Sequence, residues 1–173
     1  MAADPDFVRF ALDVHGVDGV SPACILLQDR CGLDVNVLLA AAYVGAARGS
    51  AFTGHELEGA RSRTLQWHHE VVRPLRALRR RLVDGPSPAP NPATTTLRER
   101  VKAVELDAEM IELDELARFV AGVDASAAPG TADERATAAM HVVVRESAGR
   151  EPGEDEHTAI AVIAAAAARF GKE

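Results

Sequence analysis

No stretch of the chain alternates β-branched with polar residues, and that absence argues against any sheet-based fold. Aromatic residues are few, one Trp, one Tyr and five Phe in 173 residues, so a core must be built from Ala, Leu and Val with helices in close contact. Alanine, at 33 residues, is the commonest type and supports that reading. Lysine is nearly missing: Arg outnumbers it 17 to 2, a bias that reflects genome base composition rather than function. Excess positive charge is missing too. The net charge is −7, which speaks against a general nucleic-acid binder and favours solubility. No segment is long and apolar enough to cross a bilayer. The N-terminal MAADPDFVRF carries acids and no long apolar core, so it is not a secretory signal, and a cytoplasmic location is expected.

Cysteine is limited to Cys24 and Cys31. On a helix, seven residues put both on one face but about 10.5 Å apart, beyond the roughly 7 Å a disulfide spans. Two reduced thiols acting as small hydrophobes fit a cytosolic chain. Catalytic signatures are also missing. There is no phosphate-cradling glycine loop, no G-x-S-x-G, no H-E-x-x-H and no paired C-x-x-C. Neither a cofactor nor a bound metal is therefore expected.

What is present is helix. Val35 to Ala47 reads VNVLLAAAYVGAA, apolar on every side except at Asn36. Such a segment is normally a central helix wrapped by others. The expected fold is all-α: one domain over residues 1–173, six or seven helices around a central helix at about 35–48. Asp4-Pro5 and Ser21-Pro22 are start signals, a capping side chain followed by proline at the first helical position. Gly32 ends the second helix, and Asp34 caps the central one. Thr53 and Glu56 form a capping box, as do Thr96 with Glu99 and Thr131 with Glu134. Leu57 to Leu82 carries one apolar stripe, with Pro74 inside it, so a kink or break is expected at 69–73. Residues 84–95 are a proline-rich connector between helices, extended and solvated. The helix from Thr96 to about Ala121 has two opposite apolar stripes. One is Leu97, Val101, Val104, Ala108 and Ile111. The other is Leu106, Met110, Leu113, Ala117 and Val120, and around Met110, Leu113 and Ala117 it is the candidate subunit contact. The last helix begins near Glu154.

Polar side chains concentrate around the proline. Trp67, His68, Arg73 and Arg76 fall near the expected kink. The short linker makes Leu57–Leu82 and Leu97–Ile111 antiparallel neighbours. Counting back equally from it sets Arg76 near Glu105, Arg73 near Glu109 and Trp67 near Glu112. Glu105, Glu109 and Glu112 form one charged stripe, and arginine is the natural partner of a carboxylate deep in a bundle. Either a structural ion-pair network or an anion pocket would result. Arg79 to Arg81 read as solvated. His68 and His69 point about 100° apart and cannot share a metal. Glu154 and His157 have the spacing of di-metal bundles, but no second such pair exists, so they read as a solvated first turn.

Three stretches carry a family resemblance. They are Ala23-Cys24-x-x-Leu27-Gln28-Asp29, Gly32-x-Asp34-Val35-Asn36-x-Leu38-Leu39, and Trp67-x-x-x-Val71-Val72-x-Pro74-Leu75-Arg76. Together with Glu105 to Glu109 they resemble a family of uncharacterised, conserved hypothetical bacterial proteins, over roughly residues 7 to 116. The resemblance implies a helical cytoplasmic bacterial protein and brings no established activity. The roles of Cys24, Gln28, Asp29, Asp34 and Asn36 stay open. The leading expectation is a non-catalytic protein-binding or assembly factor, whose partner is another protein or a second copy, with no nucleic acid and no membrane. The alternative is an enzyme or small-ligand binder with an anion pocket lined by Trp67, Arg73, Arg76, Glu105 and Glu109. An enclosed cavity lined by those groups would favour the alternative.

Overall fold

The computed structural model describes residues 2–124 and 127–170. The helices are α1 (Pro5–His15), α2 (Val20–Cys31), α3 (Val35–Ala46), α4 (Gly54–Trp67), a π-helical turn (His68–Val72), α5 (Arg73–Arg81), α6 (Pro92–Ala121), α7 (Ala132–Ala148) and α8 (Glu154–Ala167). Since α4, the π turn and α5 run on without a gap, they form one continuous rod. There is no strand among the described residues, only an isolated bridge between Ser50 and Ala127. No single helix there is long and apolar enough to cross a membrane.

α3 is the centre, as its composition requires. Every residue from Val37 to Gly45 is buried. Its most extensive neighbour is α7, and α6, α1 and α8 close round the rest. Gly45 makes the α7 contact possible. A Cβ there would lie 2.6 Å from the Arg135 carbonyl oxygen and 2.8 Å from the Ala136 nitrogen. The Gly45 carbonyl accepts a hydrogen bond from Arg135 Nε at 2.9 Å. On the other side Phe7 and Phe10 of α1 meet Tyr43 edge-on, with centroids 5.5 and 5.0 Å apart. The Tyr43 hydroxyl donates to Asp4, whose other carboxylate oxygen pairs with Arg48. Asp4 also caps α1, so one side chain starts α1 and ties it to the end of α3.

Several boundaries differ from expectation for identifiable reasons. α2 begins at Val20 after Gly19, whose φ of 86° only glycine adopts easily. Ser21-Pro22 therefore lies inside the first turn, where proline costs nothing because those N–H groups have no helical partner. α6 begins at Pro92 rather than Thr96. Asn91 and Thr94 cap each other reciprocally, at 3.0 and 2.9 Å, which is the same cap-then-proline start as Asp4-Pro5. The connector is correspondingly shorter.

α6 also corrects the subunit-contact expectation. Leu113 is only 4 % exposed, and with Ala117 it belongs to the main core, against which Met110 also packs. From Met110 onward that face is covered within the chain, while Leu106 at its start is 55 % exposed. The opposite stripe divides instead. Val101 and Ala108 are buried, whereas Leu97, Val104 and Ile111 are 47, 51 and 51 % exposed. Cys24 and Cys31 are free and buried. Burial pushes the Cys24 thiol up to about 12, so it behaves as a hydrophobe.

Candidate functional site

The site is built where four chain segments meet: the end of α2, the start of α3, the π turn and the middle of α6. The π turn sets the geometry. Pro74 has no N–H and would clash with the carbonyl of Glu70 in a regular helix. Between His68 and Val72 the chain widens by one residue, and the Arg73 N–H bonds the His68 carbonyl instead. Such insertions within α-helices occur frequently at functional sites. Here the widening buries His68 and leaves His69 exposed.

His68 faces two carboxylates. Its Nδ1 lies 3.2 Å from Glu112 Oε1 and 3.4 Å from Asp34 Oδ2. Glu112 is 1 % exposed. The other oxygen of each carboxylate is held by Asn36. The Asn36 backbone N–H donates to Asp34 Oδ1 at 2.8 Å, and its side-chain amide donates to Glu112 Oε2 at 2.7 Å. Asp34 thus caps α3 and presents its second oxygen to the imidazole. Burial, reinforced by the Glu112 charge, pushes the Asp34 carboxyl up to about 7. Burial alone would lower the His68 pKa. The Glu112 contact and the charges of Asp34 and Glu112 outweigh it, and the net shift is upward.

One helical turn away lies an arginine network. Arg76 Nε donates to Glu105 at 3.2 Å, its Nη2 to Glu109 at 2.6 Å, and its Nη1 to the Gln28 carbonyl oxygen. Arg79 is not solvated as expected. It sits one turn along the same face of α5 and grips the second oxygen of Glu105. Burial acts to raise the pKa of Glu105, but the contacts with Arg79 and Arg76 overcome it and hold the carboxyl below its usual range.

The expected constellation is therefore partly regrouped. Arg76 lies opposite Glu105, as equal counting places it, and it also takes Glu109. Arg73 does not reach Glu109 and makes no ion pair among the described residues. Trp67 does not face Glu112: its indole N–H donates to the Ala108 carbonyl at 3.0 Å, and His68 takes the place opposite Glu112. The extra residue of the π turn shifts the register by about 100°, which equal counting cannot see. Asp29 makes an exposed pair with Arg80. Sequence reasoning missed the inward role of Arg79 and the joint hold of Asn36 on both carboxylates. The fixed i, i+2 step between an N-cap aspartate and the backbone N–H that donates to it was the available signal for its Asp34 half.

Two clefts flank this wall. One, about 920 Å³, is lined by Gln28, Asp34, Arg61, His68, Arg73 and Arg76 among others. The other, about 740 Å³, lies against α1, α2 and α6 and includes Asn36, Arg79, Glu105 and Glu109. Asp34, Gln28 and Arg76 border both. Glu105 and Glu109 therefore face the second cleft, away from Arg73, and Trp67 lines neither.

No curated protein and no solved structure matches the chain. A family model described as a protein of unknown function (DUF2390) matches residues 6–116, a span that contains every member of the polar wall from Gln28 to Glu112. The chain belongs to that family.

Proposed function

We propose that the larger cleft binds a small anionic ligand. The observation that carries this reading is Arg73: it lines the cleft beside His68 and has no acidic partner among the described residues, while the neighbouring Arg76 is fully engaged. An exposed, unpaired guanidinium sharing a cleft with a buried imidazole is a ready receptor for a carboxylate or phosphate. The free buried thiols support a reducing, cytoplasmic setting. Inorganic phosphate, citrate and a nucleoside monophosphate are suitable probes in a thermal-shift titration. At least one should raise the unfolding midpoint, because a ligand at 100 times its Kd adds about 2.7 kcal/mol. Arg73→Ala should abolish that rise and leave the midpoint without ligand unchanged. A flat response of the wild type to all three probes counts against the reading.

A second reading, a non-catalytic assembly protein, is favoured by one observation. Leu97, Val104 and Ile111 are exposed at seven-residue spacing on α6, one apolar position per heptad on one side of the helix, which a partner helix would cover. The partner this repeat suits best is a second copy of the chain. Light scattering should then give a dimer mass for the wild type and a monomer mass for Val104→Glu. A wild-type monomer at high concentration would remove this reading.

A further inference from the structure

Asp34, His68 and Glu112 are joined as an ion pair would join them, yet the pairing is unbalanced. Nδ1 is a single atom, and two carboxylate oxygens converge on it at 3.2 and 3.4 Å. One N–H cannot point well at both. With both carboxylates ionised and the imidazole protonated, the cluster holds one uncompensated negative charge beside Glu112, which has almost no contact with water. Such a charge is cancelled either by a proton on a carboxyl or by a bound cation. Arg76 is directed elsewhere, to Gln28, Glu105 and Glu109.

The donor geometry supplies the answer. One oxygen of each carboxylate is fixed by Asn36, so the remaining oxygens are the ones aimed at the imidazole. Such outer hydrogen bonds orient ligands and fix their lone pairs. The three inner atoms lie within 4.8 Å of one another. Two of the three separations approximate the edge of a coordination shell, about 3.4 Å for ligands roughly 2.1 Å from a tetrahedral ion. The arrangement also brings together one residue from each of three segments distant in sequence.

We propose that Asp34 Oδ2, His68 Nδ1 and Glu112 Oε1 bind one divalent first-row transition-metal ion. One imidazole with two carboxylates is a mixed, borderline donor set. It suits Mn²⁺, Fe²⁺ or Zn²⁺ better than Ca²⁺, which takes six to eight oxygens, or Cu⁺, which prefers sulfur. A divalent ion cancels both carboxylate charges and leaves the imidazole neutral. Three protein donors leave coordination positions open, and Asp34 and His68 border the larger cleft. An anion held by Arg73 could complete the shell. That last role rests on the ligand reading above; metal binding itself does not.

Co²⁺ serves as the probe, followed by its visible absorption and by calorimetry on the full chain. The wild type should bind one equivalent with a d–d spectrum free of thiolate charge-transfer bands. His68→Gln and Glu112→Gln should each weaken binding by at least about 100-fold. Asp34→Asn is the safer variant for folding, because asparagine caps a helix as well as aspartate does; it too should weaken binding. His157→Ala removes one of two neighbouring imidazoles elsewhere, tilted 41° to His141 with centroids 4.9 Å apart, and should change nothing. No binding by the wild type up to about 1 mM Co²⁺ would overturn the proposal. So would wild-type affinity in folded His68→Gln or Asp34→Asn, loss of binding in His157→Ala, or a thiolate band. The ligand reading fails separately, through Arg73→Ala, which should bind Co²⁺ as the wild type does.

Discussion

Gly45→Val should leave no cooperatively folding protein, and Gly45→Ala should fold with a clearly lowered urea midpoint. The reason is the identity of the atoms that crowd the missing side chain. A Cβ at Gly45 would meet the carbonyl oxygen, carbonyl carbon and nitrogen of residues 135 and 136 at 2.6 to 2.8 Å. These are backbone atoms in the first turn of α7, so no side-chain rotation relieves the clash. α7 must move as a body. Its buried residues Ala136, Ala139, Met140 and Val143 are all in the same core. Overpacking of this kind costs about 1–3 kcal/mol for a methyl, offset by up to about 1 kcal/mol of alanine's better helix propensity. Two further methyls and a β-branch remove any offset and enlarge the displacement. The total then approaches the 5–15 kcal/mol that holds a typical domain together. Far-UV circular dichroism through a urea series measures both variants. A Gly45→Val protein with the wild-type midpoint would mean that α7 does not lie against α3 there.

The helical architecture was legible because its signals are local. Asp4-Pro5, Thr53 with Glu56 and Thr131 with Glu134 act within one turn, and each is a helix start in the structure. The all-apolar run at 35–47 is likewise a property of composition, and it lies at the centre. What failed was competition between two valid signals. Thr96 and Glu99 offered a capping box, but Asn91-Pro92 offered a start five residues earlier, with a reciprocal cap and a proline at the first helical position. The faces of α6 failed for a different reason. Both stripes are apolar, and only tertiary placement decides that Leu113 is covered while Val104 is not.

At the site the same limit appears as a phase error. The residue types were legible: an arginine facing a row of glutamates, a histidine beside the proline. Their pairing was not, because a single π turn rotates everything on one side of it relative to the other. Trp67 and His68 exchange roles as a result, and Arg73 is turned out into the cleft. Periodicity assumes a constant 3.6 residues per turn. Proline announces that the constant fails but not by how much.

Arg76→Ala should be the most destabilising change among the arginines, by about 2–3 kcal/mol. This guanidinium joins three elements: Gln28 on α2, and Glu105 and Glu109 on α6, from its place on α5. Glu105 is buried, so removing Arg76 strips one of its two cationic partners and leaves Arg79 to hold it. That remaining partner, and the partial exposure of Glu109, keep the cost below the 3–5 kcal/mol of a fully buried pair broken outright. Arg76→Lys should rescue little, because an ammonium cannot direct donors to three separated acceptors as a planar fork does. In an Arg76→Ala, Glu109→Ala cycle, measured by urea unfolding, the coupling should be about 1 kcal/mol. Arg73→Ala provides the internal contrast. It makes no ion pair among the described residues, and its stability should stay within about 0.5 kcal/mol of the wild type. If the two arginine variants lose equal stability, the division between a structural Arg76 and a ligand-facing Arg73 is wrong. If Arg76→Ala alone falls, α5 is anchored by its second turn, and the π turn is free to hold His68 and Arg73 toward the cleft.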